Sequence, residues 1–226
     1  MSDVVVFGVG QWAELSHFYF THDSPHNVVG FMVDGEYLGQ ETFHDLPVVA
    51  FEEVEQHFAP AETKAFVPIS FKRMSHHRAD KLEETKAKGY EVVSYVSSKA
   101  TTFADFACGE NCFILEDNTI QPYVKLGRNI VMWSGNHIGH HTTIHDHVMI
   151  TSHVVISGAC DIGEHAFFGV NATVRDETVI GAETIVGAGT AIMADTEPFS
   201  VYKVKGTEPA GFRSDQMRSL SHKSAG

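Results

Sequence analysis

The sequence predicts an α/β domain with a small parallel sheet, followed by a parallel β-helix and a C-terminal tail. In the first 100 residues, short apolar runs alternate with segments of helical character. From Cys108 to about Glu197, an apolar or small residue returns at every sixth position. A period of six fits neither the 3.6-residue period of an amphipathic helix nor the alternation of a strand, and hexapeptide repeats are typical of parallel β-helices. We therefore place the α/β domain at residues 1–100, the β-helix at 101–197 and the tail at 198–226.

The chain begins with a strand, a glycine turn and a helix. A β-branched run at residues 3–7 ends at the turn Gly8-Val9-Gly10-Gln11, and residues 12–20 have helical character. A turn of this kind presents backbone N–H groups at a helix N-terminus, where they can bind an anion. Gly8, Gly10 and Gln11 are therefore candidate contacts to a nucleotide, although glycines also serve ordinary tight turns.

An acidic residue follows the second predicted strand. This strand covers residues 28–33 and ends at Asp34-Gly35. In a dinucleotide-binding unit, a carboxylate about 20 positions after the glycine turn holds a ribose hydroxyl. The alternative is that Asp34 and Gly35 only make a turn.

Four further elements complete the predicted α/β domain. They are a helical patch at 51–58, a third strand at 65–69, a polar helix at 74–88 and a fourth strand at 90–96. Strands that alternate with helices predict a parallel sheet. Because ligands bind at the carboxyl ends of the strands in such sheets, we expect the glycine turn, Asp34 and Ser70 to line one crevice. Lys72, Arg73 and Arg78 form a basic cluster nearby, which is either a phosphate site or a solvated helix start.

The six-residue repeat has two inward-facing sets. The first set is Cys108, Ile114, Ile120, Leu126, Met132, Ile138, Ile144, Ile150, Ile156, Ile162, Phe168, Val174, Ile180, Val186 and Ile192. The second lies four positions after each of these and is smaller. Three hexads close one triangular coil of 18 residues, so the repeat supplies about five coils, each burying its apolar residues on the next. After Ile192 the rhythm stops, which predicts a polar, irregular tail.

Composition narrows the functional classes. The formal net charge of −13 argues against nucleic-acid binding, which draws its affinity from Lys and Arg. No apolar run approaches the roughly 18 residues of a membrane span, and the N-terminus is typical of a first strand and not of a signal peptide. The three cysteines occupy inward positions of the repeat, which favours reduced core thiols in the cytoplasm.

A cluster of histidines in the repeat raises the question of a metal. It contains His137, His140, His141, His145, His147, His153 and His165. Gamma-class carbonic anhydrases, which are zinc enzymes of similar architecture, use histidines two coils apart, but no two histidines here are 36 residues apart. We therefore expect no metal site. His141, His147, His153 and His165 share one position of the hexad, which predicts an exposed ladder.

His140 lies at a different position of the hexad. The residue one coil above it, 18 positions later, is Gly158. A neutral imidazole can take a proton from an attacking amine or hydroxyl, and a backbone N–H can stabilise the oxyanion of a tetrahedral intermediate. We expect a small acyl group to fit beside Gly158 and the Gly158 N–H to hold the thioester oxygen, so the pair is suited to acyl transfer from a thioester. The alternative is an ordinary surface histidine.

The sequence resembles a known family of acyltransferases. The resemblance rests on the motif at residues 133–144 (WSGNHIGHHTTI), the hexad array and the preceding α/β domain with its glycine turn. These features are similar to the left-handed β-helix acetyltransferases of nucleotide-linked sugars, in particular the N-acetyltransferases of the bacillosamine and perosamine pathways and the sialic-acid O-acetyltransferases. The resemblance implies a left-handed coil, a homotrimer, acetyl-CoA as cosubstrate without a metal, and a cytoplasmic role in surface glycan or lipopolysaccharide biosynthesis.

The resemblance also implies roles for individual residues. The family's general base falls on His140, and its nucleotide-sugar contacts fall on Gly10, Gln11, Asp34 and Ser70. Its coenzyme A contacts fall on Met149 and near Gly158, Val170 and Ala188, and we add Lys203 or Lys205 from their charge.

Three departures from the family matter. His141 stands where the partner of the base is often a carboxylate, and Met149 replaces a histidine that contacts the donor in some members. The glycine turn is one residue shorter than in some members, and Ser70 replaces a glycine at the end of the third strand. The resemblance therefore does not identify the base of the nucleotide.

The expected activity is acetyl-CoA-dependent N-acetylation of a nucleotide-linked amino sugar. The alternatives are O-acetylation by the same fold and a non-catalytic β-helical binding protein.

Overall fold

The N-terminal part of the chain is built on a five-stranded sheet. The computed structural model describes residues 2–216. The strands of this sheet are β1 (Asp3–Phe7), β2 (Asn27–Val33), β3 (Thr42–Phe43), β4 (Leu46–Ala50) and β5 (Thr63–Phe66). Their order is β3-β4-β2-β1-β5, and all neighbours are parallel except the β3–β4 pair. The carboxyl ends of β1, β2, β4 and β5 therefore lie at one edge.

Three helices flank this sheet. They are α1 (Gln11–His22), α2 (Val54–His57) and α3 (His76–Ala87). One apolar core, which includes Val5, Met32 and Leu82, lies between the sheet and α3. A second core, which includes Phe20, Phe31 and Phe113, joins α1 and the other face of the sheet to the coil. The sheet is therefore covered on both faces, as apolar strands such as Val-Val-Val-Phe require.

Several strand predictions differ from the structure. The third predicted strand, 65–69, is observed at Thr63–Phe66. The two-residue strand β3 was missed, and so was β4, because its apolar run is short and contains Pro47, which is rare inside a strand. In the predicted fourth strand, only Tyr95–Val96 (β6) is a strand, and it pairs with the coil instead of the sheet. Val92 makes an isolated bridge to Ala65. An apolar run shows that a segment is buried, but it does not identify the neighbouring strand.

The rest of the chain is a stack of two-residue strands. These are β7 (Phe113–Ile114), β8 (Thr119–Ile120), β9 (Lys125–Leu126), β10 (Val131–Met132), β11 (His137–Ile138), β12 (Thr143–Ile144), β13 (Met149–Ile150), β14 (Val155–Ile156), β15 (Asp161–Ile162), β16 (Phe167–Phe168), β17 (Thr173–Val174), β18 (Val179–Ile180), β19 (Ile185–Val186), β20 (Ala191–Ile192) and β21 (Val201–Tyr202). They form three parallel sheets, in which each strand from β7 to β17 pairs with the strand three places later, and β19 pairs with β21. Ile138 pairs with Ile156, 18 residues on, so three hexads make one coil as predicted. Stacked parallel sheets of this kind fit the predicted left-handed β-helix.

The sheets are named here by their strands: the β10–β13–β16 face, the β11–β14–β17 face and the β12–β15–β18 face. The inward residues of all three faces form one buried core. All three cysteines are free, and Cys112 and Cys160 are buried in this core.

The tail is more regular than predicted. β21 extends the β10–β13–β16 face, with Val201 paired to Ile185. The spacing of this pair is 16 residues instead of 18, so the strand lies out of the six-residue rhythm and the repeat could not reveal it. Residues 217–226 lie outside the described part of the chain. Within residues 2–216, no helix is long and apolar enough to cross a membrane.

Candidate active site

The imidazole of His140 lies against Gly158. The two residues are in the turns after β11 and β14, which are neighbours on one face of the coil. A Cβ atom at Gly158 would lie 2.7 Å from Cε1 and 2.9 Å from Nε2 of His140. The ring of His140 therefore fills the space beside Gly158 in which we expected an acyl group to fit. His140 itself is exposed, so its outer edge remains open to a ligand.

His141 is the hydrogen-bond partner of His140. Their Nδ1 atoms are 3.2 Å apart, and the rings are almost perpendicular. One of the two Nδ1 atoms must carry the shared proton. If His140 donates, its Nε2 holds a lone pair that can accept a proton from a ligand. Nε2 has no hydrogen-bond partner among residues 2–216.

Two further side chains hold this corner of the coil. The backbone N–H of His140 donates to Oε1 of Gln121 at 2.9 Å, and the ring of His141 lies 4.7 Å from the ring of Tyr123. These contacts fix the turn and limit the rotation of His141. Neither Gln121 nor Tyr123 was among the predicted site residues, although both lie about one coil before the histidine pair.

The backbone N–H of Gly158 is not free. It donates to Oδ1 of Asp176, one coil further on, at 3.2 Å. The prediction that this N–H holds the thioester oxygen is therefore wrong for the structure as it stands. Counting by 18 from Gly158 would have found Asp176, but it would not have shown where the carboxylate points.

The glycine turn is formed as predicted. Gly8 has a φ of +103°, a value that favours glycine, and its N–H donates to the carbonyl of Met32 at 2.7 Å. Gly10 is the N-cap of α1 and makes no side-chain cap bond. Its neighbour Gln11 is exposed and borders a cleft of about 390 Å³ that Leu15 and Phe18 also line. The cleft therefore runs along the first two turns of this 12-residue helix, and Glu14 adds a carboxylate to its lining.

Asp34 lies at the carboxyl end of β2, but it is already ion-paired. Its Oδ1 accepts a hydrogen bond from Nζ of Lys81 at 2.7 Å. The ammonium of Lys81 also bonds Glu84 and lies 4.3 Å from the ring centre of Phe51. Lys81 was not among the predicted site residues, because a lysine inside a polar helix gives no signal of burial.

The predicted basic cluster does not hold together. Arg78 is fully buried, and it bonds the carbonyls of Ile69, Asn129 and His147. It therefore joins α3 to the coil and cannot bind a phosphate. Arg73 is exposed and lies 3.7 Å from Asp80.

The two remaining residues of this segment are accessible. Lys72 is exposed and Ser70 is half-buried. Both follow β5 at the same sheet edge as Asp34, so this pair stays as a candidate for contact with a ligand.

The predicted coenzyme A contacts lie in different environments. Met149 is only 6% exposed and packs in the core between the sheet and the coil, so its predicted contact with the donor is wrong. Val170 and Ala188 are exposed and stack in the turns after β16 and β19. This is a different corner of the coil from that of His140. Lys205 is exposed and pairs with Glu208.

The histidine ladder is exposed only in part: His141 and His153 are exposed, whereas His147 and His165 stack on each other but are buried. His147 and His165 are each 7% exposed, and their rings lie 4.6 Å apart. The ring of His76 covers His165 at 4.0 Å, and burial lowers the pKa of His147 to about 4. Within residues 2–216, no three His, Cys, Asp or Glu side chains are placed to hold a metal ion.

The stacked parallel sheets with an N-terminal sheet define a hexapeptide-repeat architecture, and solved structures share it. A variant of perosamine N-acetyltransferase from Caulobacter crescentus, in complex with CoA and GDP-perosamine, superposes with a TM-score of 0.80 and 20% identity, covering 92% of this chain and 98% of that chain. The acetyltransferase domain of PglB from Neisseria gonorrhoeae, in complex with acetyl coenzyme A, gives 0.75 and 17% identity, with 88% and 94% covered. WeeI from Acinetobacter baumannii superposes with a TM-score of 0.74 and 17% identity, covering 89% of this chain and 96% of that chain.

These likenesses confirm the resemblance that the sequence predicted, and they show a common fold. No protein-family model matches the chain. No curated protein matches it either. The roles of individual residues must therefore be argued from their geometry.

Proposed function

We propose that the protein is an acetyl-CoA-dependent N-acetyltransferase that acts on the amino group of a nucleotide-linked amino sugar. The observation that carries this proposal is the His140–His141 pair at the surface of the coil, with Nδ1 of His140 engaged and Nε2 open. The proposal is supported by two of the structural neighbours, an N-acetyltransferase in complex with CoA and GDP-perosamine and an acetyltransferase domain in complex with acetyl coenzyme A.

In the proposed reaction, the amine of the sugar attacks the carbonyl carbon of the thioester. Nε2 of His140 takes one proton from the nitrogen as the C–N bond forms. The tetrahedral intermediate then breaks its C–S bond, and coenzyme A leaves as a thiol once the thiolate has gained that proton. General base catalysis of this kind contributes about 10²- to 10⁴-fold in rate. We assign no oxyanion role to Gly158, because Asp176 already accepts its N–H.

His141 orients the base in this proposal. It accepts the Nδ1 proton of His140, which leaves the Nε2 lone pair of His140 available. A carboxylate in this place would stabilise the imidazolium by its charge, whereas a neutral imidazole stabilises it through the hydrogen bond alone. The positive charge is therefore less stabilised than in relatives with an acidic partner. The tilted ring of Tyr123 packs against His141 and holds this partner in place.

We place the nucleotide at the carboxyl edge of the N-terminal sheet, on Gly8, Gly10, Gln11, Asp34 and Ser70. The open helix N-terminus at Gly10 suits the pyrophosphate group. Lys72 lies at the same edge and supplies a positive charge.

The coenzyme A site requires two corners of the coil. Gly158 and His140 lie after the β11–β14 strands, whereas Val170 and Ala188 lie after the β16–β19 strands. If two copies of the chain pack side by side, corners of both kinds can face one groove. We therefore propose a homotrimer with the donor in the groove between coils, and a role in surface glycan or lipopolysaccharide assembly.

The test is release of free thiol from acetyl-CoA in the presence of amino-sugar nucleotides with UDP, GDP and dTDP carriers. We compare the wild type with His140→Asn, which keeps a polar side chain of similar reach but cannot act as a base. The matched control is His145→Asn, because His145 is also an exposed coil histidine but pairs with Asp161.

We expect His140→Asn to lower kcat by 10²- to 10⁴-fold, with KM and melting temperature unchanged and the control within twofold of wild type. Full activity of His140→Asn would contradict the role of the base. Thiol release with hydroxyl sugars only would overturn N-acetylation in favour of O-acetylation.

A further inference from the structure

Lys81 is a buried cation at the ligand-facing edge of the N-terminal sheet. Its side chain is only 8% exposed, and its Nζ donates to Oδ1 of Asp34 at 2.7 Å and to Glu84 at 2.5 Å. The ammonium lies 4.3 Å from the ring centre of Phe51 and 5.2 Å from that of Phe7. It is therefore enclosed by two carboxylates and two aromatic rings.

This environment keeps Lys81 charged. Burial alone lowers the pKa of a lysine, but the hydrogen bonds and charges of Asp34 and Glu84 raise the pKa of Lys81 above its ordinary value. A buried ammonium is costly unless it is paired. The pairing also removes rotational freedom from Asp34, whose carboxylate would otherwise turn freely at the end of β2.

Only one oxygen of Asp34 is used in this pairing. Oδ1 accepts from Lys81, whereas Oδ2 has no partner among residues 2–216, and the side chain of Asp34 is 22% exposed. The glycine turn lies beside it, since Gly8 donates to the carbonyl of Met32 near the end of β2. A fixed carboxylate next to a glycine turn is the arrangement that holds a ribose hydroxyl in α/β nucleotide sites.

We infer that Lys81 is a positioning residue, which holds Asp34 so that Oδ2 accepts a hydrogen bond from the ribose 2′-hydroxyl of the nucleotide. The inference rests on the proposed function and adds a specificity to it. The site then prefers a ribonucleotide carrier to its 2′-deoxy counterpart. Without the 2′-hydroxyl, the fixed carboxylate is left without its partner, and this is the situation in which polar sites discriminate most strongly.

A neighbouring lysine separates this role from simple stabilisation. Lys88 lies just beyond the C-terminus of α3, pairs with Glu55 and lies 5.0 Å from the same Phe51 ring. It does not contact Asp34. Replacing Lys88 thus removes a similar ion pair and a similar ring contact and leaves the carboxylate of Asp34 fixed.

The experiment measures binding of UDP, dUDP, GDP and dGDP by isothermal titration calorimetry to the full chain. The variants are Lys81→Met, which keeps the length of the side chain against Phe51, Lys81→Arg, which restores the positive charge, and the control Lys88→Met. Removing the cation leaves Asp34 and Glu84 in contact with water, so Lys81→Met should fold, and its far-ultraviolet circular dichroism checks this.

For the nucleotide base that binds, we expect wild type to prefer the ribo form about tenfold, which corresponds to about 1.4 kcal/mol. Lys81→Met should reduce this ratio to less than twofold while the affinity for the deoxy form stays within twofold of wild type. Lys81→Arg should restore at least half of the preference on a logarithmic scale, and Lys88→Met should keep all of it.

Other outcomes overturn the inference. Wild type without a preference, or Lys81→Met with an unchanged preference, shows that Asp34 does not read the 2′-hydroxyl through Lys81. An equal loss of affinity for both forms shows a structural role only. If wild type binds no nucleoside diphosphate, the proposal of a nucleotide-linked acceptor is refuted together with the inference. If wild type binds both forms equally, only the inference is refuted and the proposed function stands.

Discussion

Replacing the buried Arg78 by methionine should destabilise the fold strongly. Its guanidinium is fully buried and donates to the carbonyls of Ile69, Asn129 and His147 at 2.9–3.2 Å, and to the side-chain oxygen of Asn129 at 3.0 Å. That side-chain oxygen also accepts from Asn111, so three carbonyls lose their side-chain partner. Each unpaired buried acceptor costs about 1–3 kcal/mol, and the removal of a buried charge offsets part of the total. We expect a loss of about 3–5 kcal/mol in the free energy of unfolding.

The assay is equilibrium urea unfolding of wild type, Arg78→Met and the control Arg73→Met. Arg73 lies five residues earlier, but its side chain is 67% exposed and makes a loose ion pair with Asp80 at 3.7 Å. Arg73→Met should therefore lower the free energy of unfolding by less than about 0.5 kcal/mol. A drop of less than about 1 kcal/mol for Arg78→Met would refute the reasoning, since it would mean that water satisfies the three carbonyls. Similar losses in the free energy of unfolding for Arg78→Met and Arg73→Met would show that the hydrogen bonds of the buried guanidinium are not the cause of the destabilisation.

Two further predictions concern histidines of the coil. Gly158→Ala should lower the rate of the proposed acetyl transfer at least tenfold with little change in melting temperature, because the new Cβ would lie 2.7 Å from the ring of His140 and would displace this flexible side chain instead of the backbone. The control is Gly211→Ala, which places its Cβ in open space. Equal activity of the two variants would contradict the prediction. Because burial lowers the pKa of His147 from 6.5 to about 4, the unfolded chain takes up a proton here first, so this contribution to stability is complete above pH 6.5 and is lost as the pH falls towards 4. Urea midpoints of His147→Gln should therefore fall less than those of wild type over that interval, and parallel curves would show that His147 does not carry the effect.

The repeat made the coil predictable in detail. A fixed spacing of six assigns each residue to a corner or a face, and a spacing of 18 assigns its neighbour in the next coil. Both the pairing of Ile138 with Ile156 and the contact of His140 with Gly158 follow from counting alone. No comparable rule exists for the first 100 residues, where the β4 strand was missed and β6 was assigned to the wrong sheet.

The parts of the site that could not be predicted depend on side-chain direction. The sequence indicated Asp34 and Gly158 as ligand contacts, but it could not show that Lys81 bonds the first and Asp176 the second. A lysine in a polar helix and an aspartate in a turn are both ordinary surface residues by pattern. Their charges became part of the site because the fold placed them within 3.2 Å of the predicted contacts.

The histidines of the coil show why position in the hexad is not enough to assign a function. His141, His147 and His165 share one position, yet His141 is exposed whereas the other two are buried. His147 and His165 share one corner of the coil, and His141 lies at another. The segment that starts α3 covers the corner of His147 and His165 through His76 and the carbonyl of Met74. Burial keeps His147 neutral in the core and leaves it no access to a ligand. No segment within residues 2–216 covers the corner of His140 and His141 in this way, so a pair of imidazoles there remains open to an acceptor. This difference in cover is the reason to assign the proposed base to His140.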